Sequence, residues 1–421
     1  MRRFWGDFQR IAQACLWSAV AAFWGTTCFA NETNCGSSVE CGDTICGAMN
    51  DCCCEIGPRA WFSAEYLLWQ VSGVDVPALV TSSPAGTPLN QAGRLDDPST
   101  TVLAGNDTIL DGWRSGYALS GGVALDPCGR VAIIGDYFNA GRDSYRYGAG
   151  PDTGAIIARP FYNTQAGAQD VELVDVPNEL SGRVDITGHT DFQGAGAALM
   201  ANLWNCCDSC SDRSSGLWVL GGYRYYQHDS RLNIVENLLV LPGTTTPLVP
   251  GTSILLSDQF TARNVFHGGE FGLQGRVQRE EWWIDGLAAI AVGNNTRTVT
   301  VSGSTTNTVP GVGTSTAAGG LLTSSVTNIG RYEDSKTTVI PRFRLGAGVQ
   351  LTEHLAARVG YNVIIWDDVA QAAAHLPPGL AVDPRNLPPV QAGGGPDPAF
   401  PGIQSSTVVA HGFDFGLLVD F

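Results

Sequence analysis

Apolar and polar residues alternate with period two along ten stretches of this chain: 60–72, 113–126, 131–139, 188–204, 216–228, 265–279, 282–295, 338–351, 355–366 and 407–421. Such alternation gives a β-strand one apolar face and one polar or small face. The last stretch is the cleanest. Val409, His411, Phe413, Phe415, Leu417, Val419 and Phe421 share one side, and Ala410, Gly412, Asp414, Gly416, Leu418 and Asp420 the other. A soluble domain rarely closes on a long strand with a final Phe. The last strand of an outer-membrane barrel does, because alternate side chains meet lipid and the aromatic end sits at the interface.

The links between these stretches alternate in length. Residues 127–130, 205–215, 280–281 and 352–354 are short; 73–112, 140–187, 229–264, 296–337 and 367–406 are long. Tight periplasmic turns and large outer loops produce this pattern in a barrel, and structureless connections this long count against a soluble sandwich. The expectation is an all-β, antiparallel, up-and-down transmembrane barrel of about ten strands. Val171–Val176 and Ile254–Leu256 are also β-prone, so a barrel of twelve is the alternative.

Charge fixes which face looks inward. Phe343, Leu345, Ala347, Val349 and Leu351 oppose Arg342, Arg344 and Gln350; Leu355, Val359, Tyr361 and Val363 oppose Arg358 and Asn362. An Arg on the lipid face at mid-membrane costs about 2–4 kcal/mol, so the arginine face is the inner one. Candidate lumen residues are Glu65, Arg114, Asp136, Arg224, Glu270, Arg276, Arg342, Arg344, Arg358 and Asp414. They line a mixed-charge pore if the lumen is open and form a salt-bridged core if it is packed. Ten strands lie nearer the side-chain-filled size, yet Gly116, Ala118, Gly122, Gly346, Gly348, Gly360, Gly412 and Gly416 on the same face would leave room for water or an infolded loop. The stretch 188–204 has no clear facing. Trp61, Trp69, Trp113, Trp218, Trp282, Trp366 and Phe421 fall near strand ends, where aromatic girdles meet the membrane interfaces.

Composition agrees with sheets and loops: of 421 residues 15% are charged and 52 are Gly. The formal charge is -16, which argues against nucleic acid as a partner. Residues 1–30 read as a signal peptide. Arg2 and Arg3 precede an apolar run from Ile11 to Phe29, and Cys28-Phe29-Ala30 resembles a cleavage site. No later run is apolar enough for a membrane helix, so insertion falls to strands. Residues 31–57 form a Cys-rich periplasmic segment and 58–421 the barrel.

Ten cysteines follow residue 30: Cys35, Cys41, Cys46, Cys52, Cys53, Cys54, Cys128, Cys206, Cys207 and Cys210. All fall before the first strand or in short turns, hence on the periplasmic side, where an oxidising setting favours disulfides. Cys207-x-x-Cys210 lacks the βαβ setting of a redox pair, and no His lies near the cluster to complete a zinc site. No cofactor or metal is called for. His189 with Asp191, His228 with Asp229, His267, and Asp367-Asp368 fall near outer strand ends, where paired acid and base groups could activate water. Against the solvated loop bases expected there, a rim hydrolase is the weaker reading, and no catalytic residue is assigned.

From residue 58 the chain resembles a planctomycete family of putative β-barrel porins, the seventh of that name. The resemblance rests on Trp61-Phe62-Ser63-Ala64-Glu65-Tyr66-Leu67-Leu68-Trp69 with Pro77-Ala78-Leu79-Val80-Thr81, and on Gly221-Gly222-Tyr223-Arg224-Tyr225. Asp258-Gln259-Phe260 with Asn264, Phe266 and Gly268-Gly269, and Gly360-Tyr361 leading to Trp366 and Val369, extend it. Arg342 and the segment 370–375 depart from the family pattern, so its lumen charges are not carried over. The resemblance implies an outer-membrane barrel. The leading expectation is porin-like passive passage of small solutes. The alternative is a non-conducting structural or surface-interaction barrel acting through its long outer loops. Expected partners are outer-membrane lipid, the barrel-assembly machinery through the last strand, and periplasmic or cell-wall contacts through the Cys-rich segment.

Overall fold

Ten strands carry the alternation and close into a ring. The computed structural model describes residues 60–421 except 127–128, 152–153, 209–212 and 246–247. The barrel strands are β1 (Ala60–Val71), β2 (Trp113–Ala124), β3 (Val131–Ala149), β4 (Leu180–Asp208), β5 (Arg213–Val240), β6 (Ser253–Arg279), β7 (Trp282–Val309), β8 (Gly330–Thr352), β9 (Leu355–Val369) and β10 (Ser406–Asp420). Each pairs antiparallel with its neighbours in sequence, and β10 pairs with β1 from Val71↔Ala410 to Trp61↔Asp420. This is an up-and-down barrel of ten strands, without the alternative twelve. Ile254–Leu256 lies within β6, and Val171–Val176 belongs mostly to an inner hairpin rather than the wall.

The strands are far longer than a membrane requires. β4, β5, β6 and β7 have 29, 28, 27 and 28 residues, against about 9–11 for a spanning strand. Their outer halves project beyond the membrane as a tall wall. Along this wall the hydrophobic face changes sides without any slip of register. On β7, Trp282, Ile284, Ile290 and Val292 are exposed on the outside while Trp283 and Asp285 are buried within. Further out, Val299 and Val301 are buried while Thr296, Thr298 and Thr300 take the outward positions. The surroundings cause the inversion. Hydrocarbon demands an apolar exterior, and above it water does not, so the apolar residues turn inward to be buried.

What they are buried against is the outer loops. Val80–Ser83, Thr101–Ala104, Ile156–Asn163, Ala168–Asp175 and Ala381–Val382 form a small inner sheet. Val184, Ile186, Leu232, Ile234, Phe260, Val299 and Val301 from the wall meet Val80, Ile157, Phe161, Val174, Leu321, Leu380 and Val382 in one apolar core. The outer half is thus a filled sandwich of wall and infolded loops.

One irregularity matters for facing. The β3–β4 register shifts between Asp191 and Gln193. Opposite it, Gly141 has φ +80°, and a Cβ there would lie 1.9 Å from the Ser115 carbonyl oxygen, so no other residue fits. The bulge moves β3 from even-numbered inward positions such as Asp136 and Phe138 to odd-numbered ones such as Asp143.

Of the cysteines, Cys35, Cys41, Cys46, Cys52, Cys53, Cys54, Cys128 and Cys210 lie outside the described residues. Cys206 and Cys207 occupy the end of β4, with their side chains also outside the description.

Candidate functional site in the barrel lumen

Inside the membrane-spanning half, inward positions carry charge. Arg224 bridges Asp136 at 2.5 Å and Glu270 at 2.6 Å, and Arg342 reaches Glu270 at 3.2 Å. Glu65 takes Arg344 at 2.9 Å and Arg358 at 3.3 Å; Arg358 also meets Asp285 at 3.3 Å, and Arg344 meets Asp414 at 3.5 Å. Asn362 Nδ2 donates to Asp414 at 2.5 Å and Ser63 Oγ to Glu65 at 3.1 Å. Nearer the periplasm the Arg276 guanidinium lies 4.2 Å above the Trp283 ring. Buried charges persist only when paired; here four arginines pair with five carboxylates, and Arg276, against the Trp283 ring, brings the charges level.

Glycines on the inner face accommodate these side chains. A Cβ on Gly196 would lie 2.5 Å from Arg224 Cζ, one on Gly360 2.5 Å from Asp414 Oδ2, and one on Gly416 2.5 Å from Glu65 Cγ. The space expected to admit water or a loop is occupied by charged groups crossing the lumen.

Above the ionic layer lies an aromatic one. Trp69, Phe138, Phe192, Tyr226, Phe266 and Trp366 are each at most 5% exposed. Their centroids form a continuous chain at 5.1 Å (Trp69–Phe138), 5.2 Å (Phe138–Phe192), 6.0 Å (Phe192–Tyr226), 6.0 Å (Tyr226–Phe266) and 6.3 Å (Phe266–Trp366). Tilted and edge contacts at these separations are the favoured geometries. Leu67, Ile340 and Ile364 complete the layer. A cavity between the two layers holds about 50 Å³, bordered by Glu65, Trp69, Asp136, Phe138, Arg342 and Arg344. That is room for a water or two and not for a solute.

The segment after β9 covers the outer side of this layer. Asn264 donates to the Ala370 carbonyl at 2.8 Å and accepts from the Ala370 amide at 2.7 Å, and Ser230 Oγ accepts from the Ala372 amide at 2.8 Å. His375 is fully buried; its Nδ1 meets the Gln371 carbonyl at 2.8 Å and its Nε2 accepts from the Gln404 amide at 3.1 Å. The ring is therefore neutral, and burial, foremost, holds its pKa below the ordinary histidine value. Higher still, Arg159 of the inner sheet pairs with Glu236 of β5 and, at 3.0 Å, with Asp258 of β6. Burial alone would lower its pKa, yet the carboxylates of Glu236, Asp258 and Glu172 outweigh it and raise it. Burial pushes Glu172 well above the carboxylate range, helped by the Glu236 charge, and also raises Glu236 despite Arg159.

All ten candidate lumen residues take inward positions. Arg114 stands apart from the ionic layer, donating to Thr190 Oγ1 at 3.0 Å with Asp143 at 3.5 Å. The interface aromatics need correcting. Trp113, Trp282 and Phe421 are exposed at 52%, 44% and 71%. Trp69 and Trp366 are buried in the aromatic layer, and Trp61 and Trp218 share the inward parity of Glu65 and Arg224. Proximity to a strand end does not decide facing; odd or even position does. The outer girdle is instead largely tyrosine. Tyr66 bonds Ser115 at 2.7 Å, Tyr137 bonds Gln193 at 3.0 Å, Tyr223 bonds His267 at 2.5 Å and Tyr361 bonds His411 at 2.8 Å. Sequence reasoning missed the aromatic layer, although a signal exists: Phe138 and Tyr226 sit two residues beyond Asp136 and Arg224, and Trp69 four beyond Glu65.

The rim groups do not converge. His189 and Asp191 face outward, with Asp191 taken by Arg142 at 2.9 Å, while His228 is fully buried inside and Asp229 faces out toward Arg263 at 3.8 Å.

Among curated proteins none matches this chain. Its fold is similar to solved outer-membrane proteins at low identity. The outer membrane protease OmpT from Escherichia coli is 8% identical, covering 86% of this chain and 96% of that one, with a TM-score of 0.34. The toluene transporter TodX of P. putida is 8% identical over 86% and 90% at 0.19, and a Pseudomonas aeruginosa FadL homologue 10% identical over 86% and 90% at 0.18. The profile of the family described as Putative beta barrel porin-7 matches residues 61–421. With the closed ten-strand ring, its lipid-facing apolar belt and this match, the protein is an outer-membrane β-barrel of the bacterial cell and belongs to the Putative beta barrel porin-7 family.

Proposed function

We propose that this protein is a closed barrel that holds a surface platform on the outer membrane and does not conduct solutes. The carrying observation is the unbroken chain of six buried rings across the lumen. It is backed by the neutral ionic layer below and the hydrogen-bonded segment above. The rings and charges belong to the wall strands, so removing the loops alone would not open a path. Apolar burial on this scale contributes roughly 1.5–3 kcal/mol per ring, which favours the packed state over a wet one.

Passive passage of small solutes is the second reading, favoured by the family's description as a porin and by the charged character of the lumen. It requires the aromatic layer and the covering segment to withdraw together. Single-channel recording of the folded protein in a planar bilayer separates the two. Silence in preparations with the heat-modifiable gel mobility of a folded barrel is the expected result. Reproducible conductance steps would overturn the closed-barrel reading.

A further inference from the structure

The outward face of the wall just above the tyrosine girdle carries positive charge on a chain that is otherwise acidic. One rung crosses four strands: Arg142 of β3 opposes Asp191 of β4, which opposes Asp229 of β5, which opposes Arg263 of β6. Two arginines and two aspartates neutralise one another there, Arg142 with Asp191 at 2.9 Å and Arg263 with Asp229 at 3.8 Å. The next two rungs add Arg231 and Arg146, both exposed. Neither has an ion pair among the described residues. His189 and Thr187 of β4 lie between them. The strand spacing puts the two arginine backbones roughly 12 Å apart. The patch therefore has a net charge of +2 on a protein of -16.

The same rungs run on into a field of hydroxyls. Thr296, Thr298, Thr300, Ser302, Ser304 and Thr306 are successive outward positions of β7. Their neighbours include Thr261, Gln259 and Ser257 of β6. They bond sideways, Ser257 to Ser304 at 3.1 Å and Ser302 to Gln259 at 3.3 Å. A wall meeting only water would carry charge on this face to stay soluble. Here the six positions of β7 are uncharged, the Arg331–Glu333 pair and Arg263 flank them on the neighbouring strands, and the row starts above the apolar belt at Ile290 and Val292.

We propose that this face seats the phosphorylated saccharide headgroup of an outer-leaflet glycolipid, with phosphate between Arg146 and Arg231 and the sugar hydroxyls along the Thr/Ser rows. Three observations favour that occupant: continuity with the lipid belt, two exposed arginines without an ion pair among the described residues on the rungs next above the Arg142–Asp191 pair, and a hydroxylated row beside them suited to a saccharide. Arginine supplies bidentate, charge-assisted contacts to phosphate. The site works from outside the barrel, whether or not the lumen conducts.

The test uses the folded full-length protein in nonionic micelles, with native mass spectrometry counting bound lipid. The probes are lipid A carrying a core oligosaccharide, the same lipid after phosphate removal, and phosphorylated lipid A without the core. The phosphorylated core lipid is expected to bind about tenfold more tightly than its dephosphorylated form. Arg146→Gln/Arg231→Gln removes that preference, while Arg94→Gln, on an outer-loop arginine paired with Asp96 at 2.8 Å, leaves it intact. Thr261→Val/Thr300→Val weakens binding of the core-bearing lipid without affecting the coreless one. Equal binding of phosphorylated and dephosphorylated lipid, or undiminished preference in the arginine double variant, overturns the phosphate seat. An unchanged core preference in the threonine variant overturns the saccharide row.

Discussion

The Arg224 guanidinium lies directly over Gly196, so close that a Cβ on the glycine would sit 2.5 Å from Cζ. The glycine of β4 is thus the floor on which the arginine of β5 holds Asp136 and Glu270. Gly196→Ala should push the guanidinium out of line with both carboxylates and cost about 1–3 kcal/mol, as overpacking does. Arg224→Met, which leaves two buried carboxylates short of a partner, should cost more, about 3–5 kcal/mol. Urea unfolding of the barrel in lipid vesicles measures both, and a Gly196→Ala variant as stable as the parent would contradict this role.

Truncating two rings of the aromatic layer should both weaken and open the barrel. Phe192→Ala and Trp366→Ala are each expected to cost about 3–5 kcal/mol. Together they remove adjoining rings whose centroids are 6.1 Å apart. In swelling assays on proteoliposomes, the double variant should admit small solutes that the parent excludes. Retained exclusion in a folded double variant would move the barrier elsewhere, to the ionic layer or the covering segment.

Acid should loosen the segment over the lumen through His375. Its pKa is lowered in the folded state, so the unfolded chain takes up the proton first. The stability it contributes is complete above the ordinary histidine value near 6.5 and declines as pH falls from there to the folded pKa. A proton on Nε2 also removes the acceptor that holds the Gln404 amide. Amide protection factors across 371–404, corrected for the intrinsic pH dependence of exchange, should therefore fall on acidification, and His375→Gln should flatten that response. Exchange rates identical in parent and variant at every pH would exclude His375 as the cause.

Glu172 should show the opposite sign. Its pKa is raised in the folded state, so the stability it contributes is complete below the ordinary carboxylate value of 4.5 and declines as pH rises from there to the folded pKa. Glu172→Gln fixes the neutral form beside Glu236 and should make the outer half more resistant to unfolding at neutral pH and above, with little change below the ordinary carboxylate value of 4.5. Thermal melts at two pH values measure this, and a parallel loss at both would show that the carboxylate was needed ionised.

The membrane-spanning part of the fold was legible because lipid outside and charge inside impose one simple alternation. All ten strands and the inward facing of Glu65, Arg224, Arg344 and Asp414 follow from it. The outer halves of β4 to β8 were hidden by the same rule. Where Val299 and Val301 turn inward and Thr298 and Thr300 outward, the hydrophobic parity reverses, and the strand reads as a loop. The facing of β4 was illegible for another reason. Gly194, Gly196 and Ala198 oppose Ala195 and Ala197, so neither face stands out until Arg224 is seen to need the space. The aromatic layer escaped notice because Trp69 and Trp366 lie near strand ends, where lipid-facing tryptophans are usual.

The reversal of parity along β7 also acts as a depth gauge. Ile290 and Val292 need hydrocarbon on the outside, and Thr296, three hydroxyl rungs below Ser302, needs water. Raising the barrel by one residue pair would expose an apolar rung around the wall, and lowering it would drag Asn294 and then Thr296 toward lipid. Each step is roughly 5 Å of vertical travel in a tilted strand. The chain thus encodes the height at which it stands in the membrane as well as the span that crosses it.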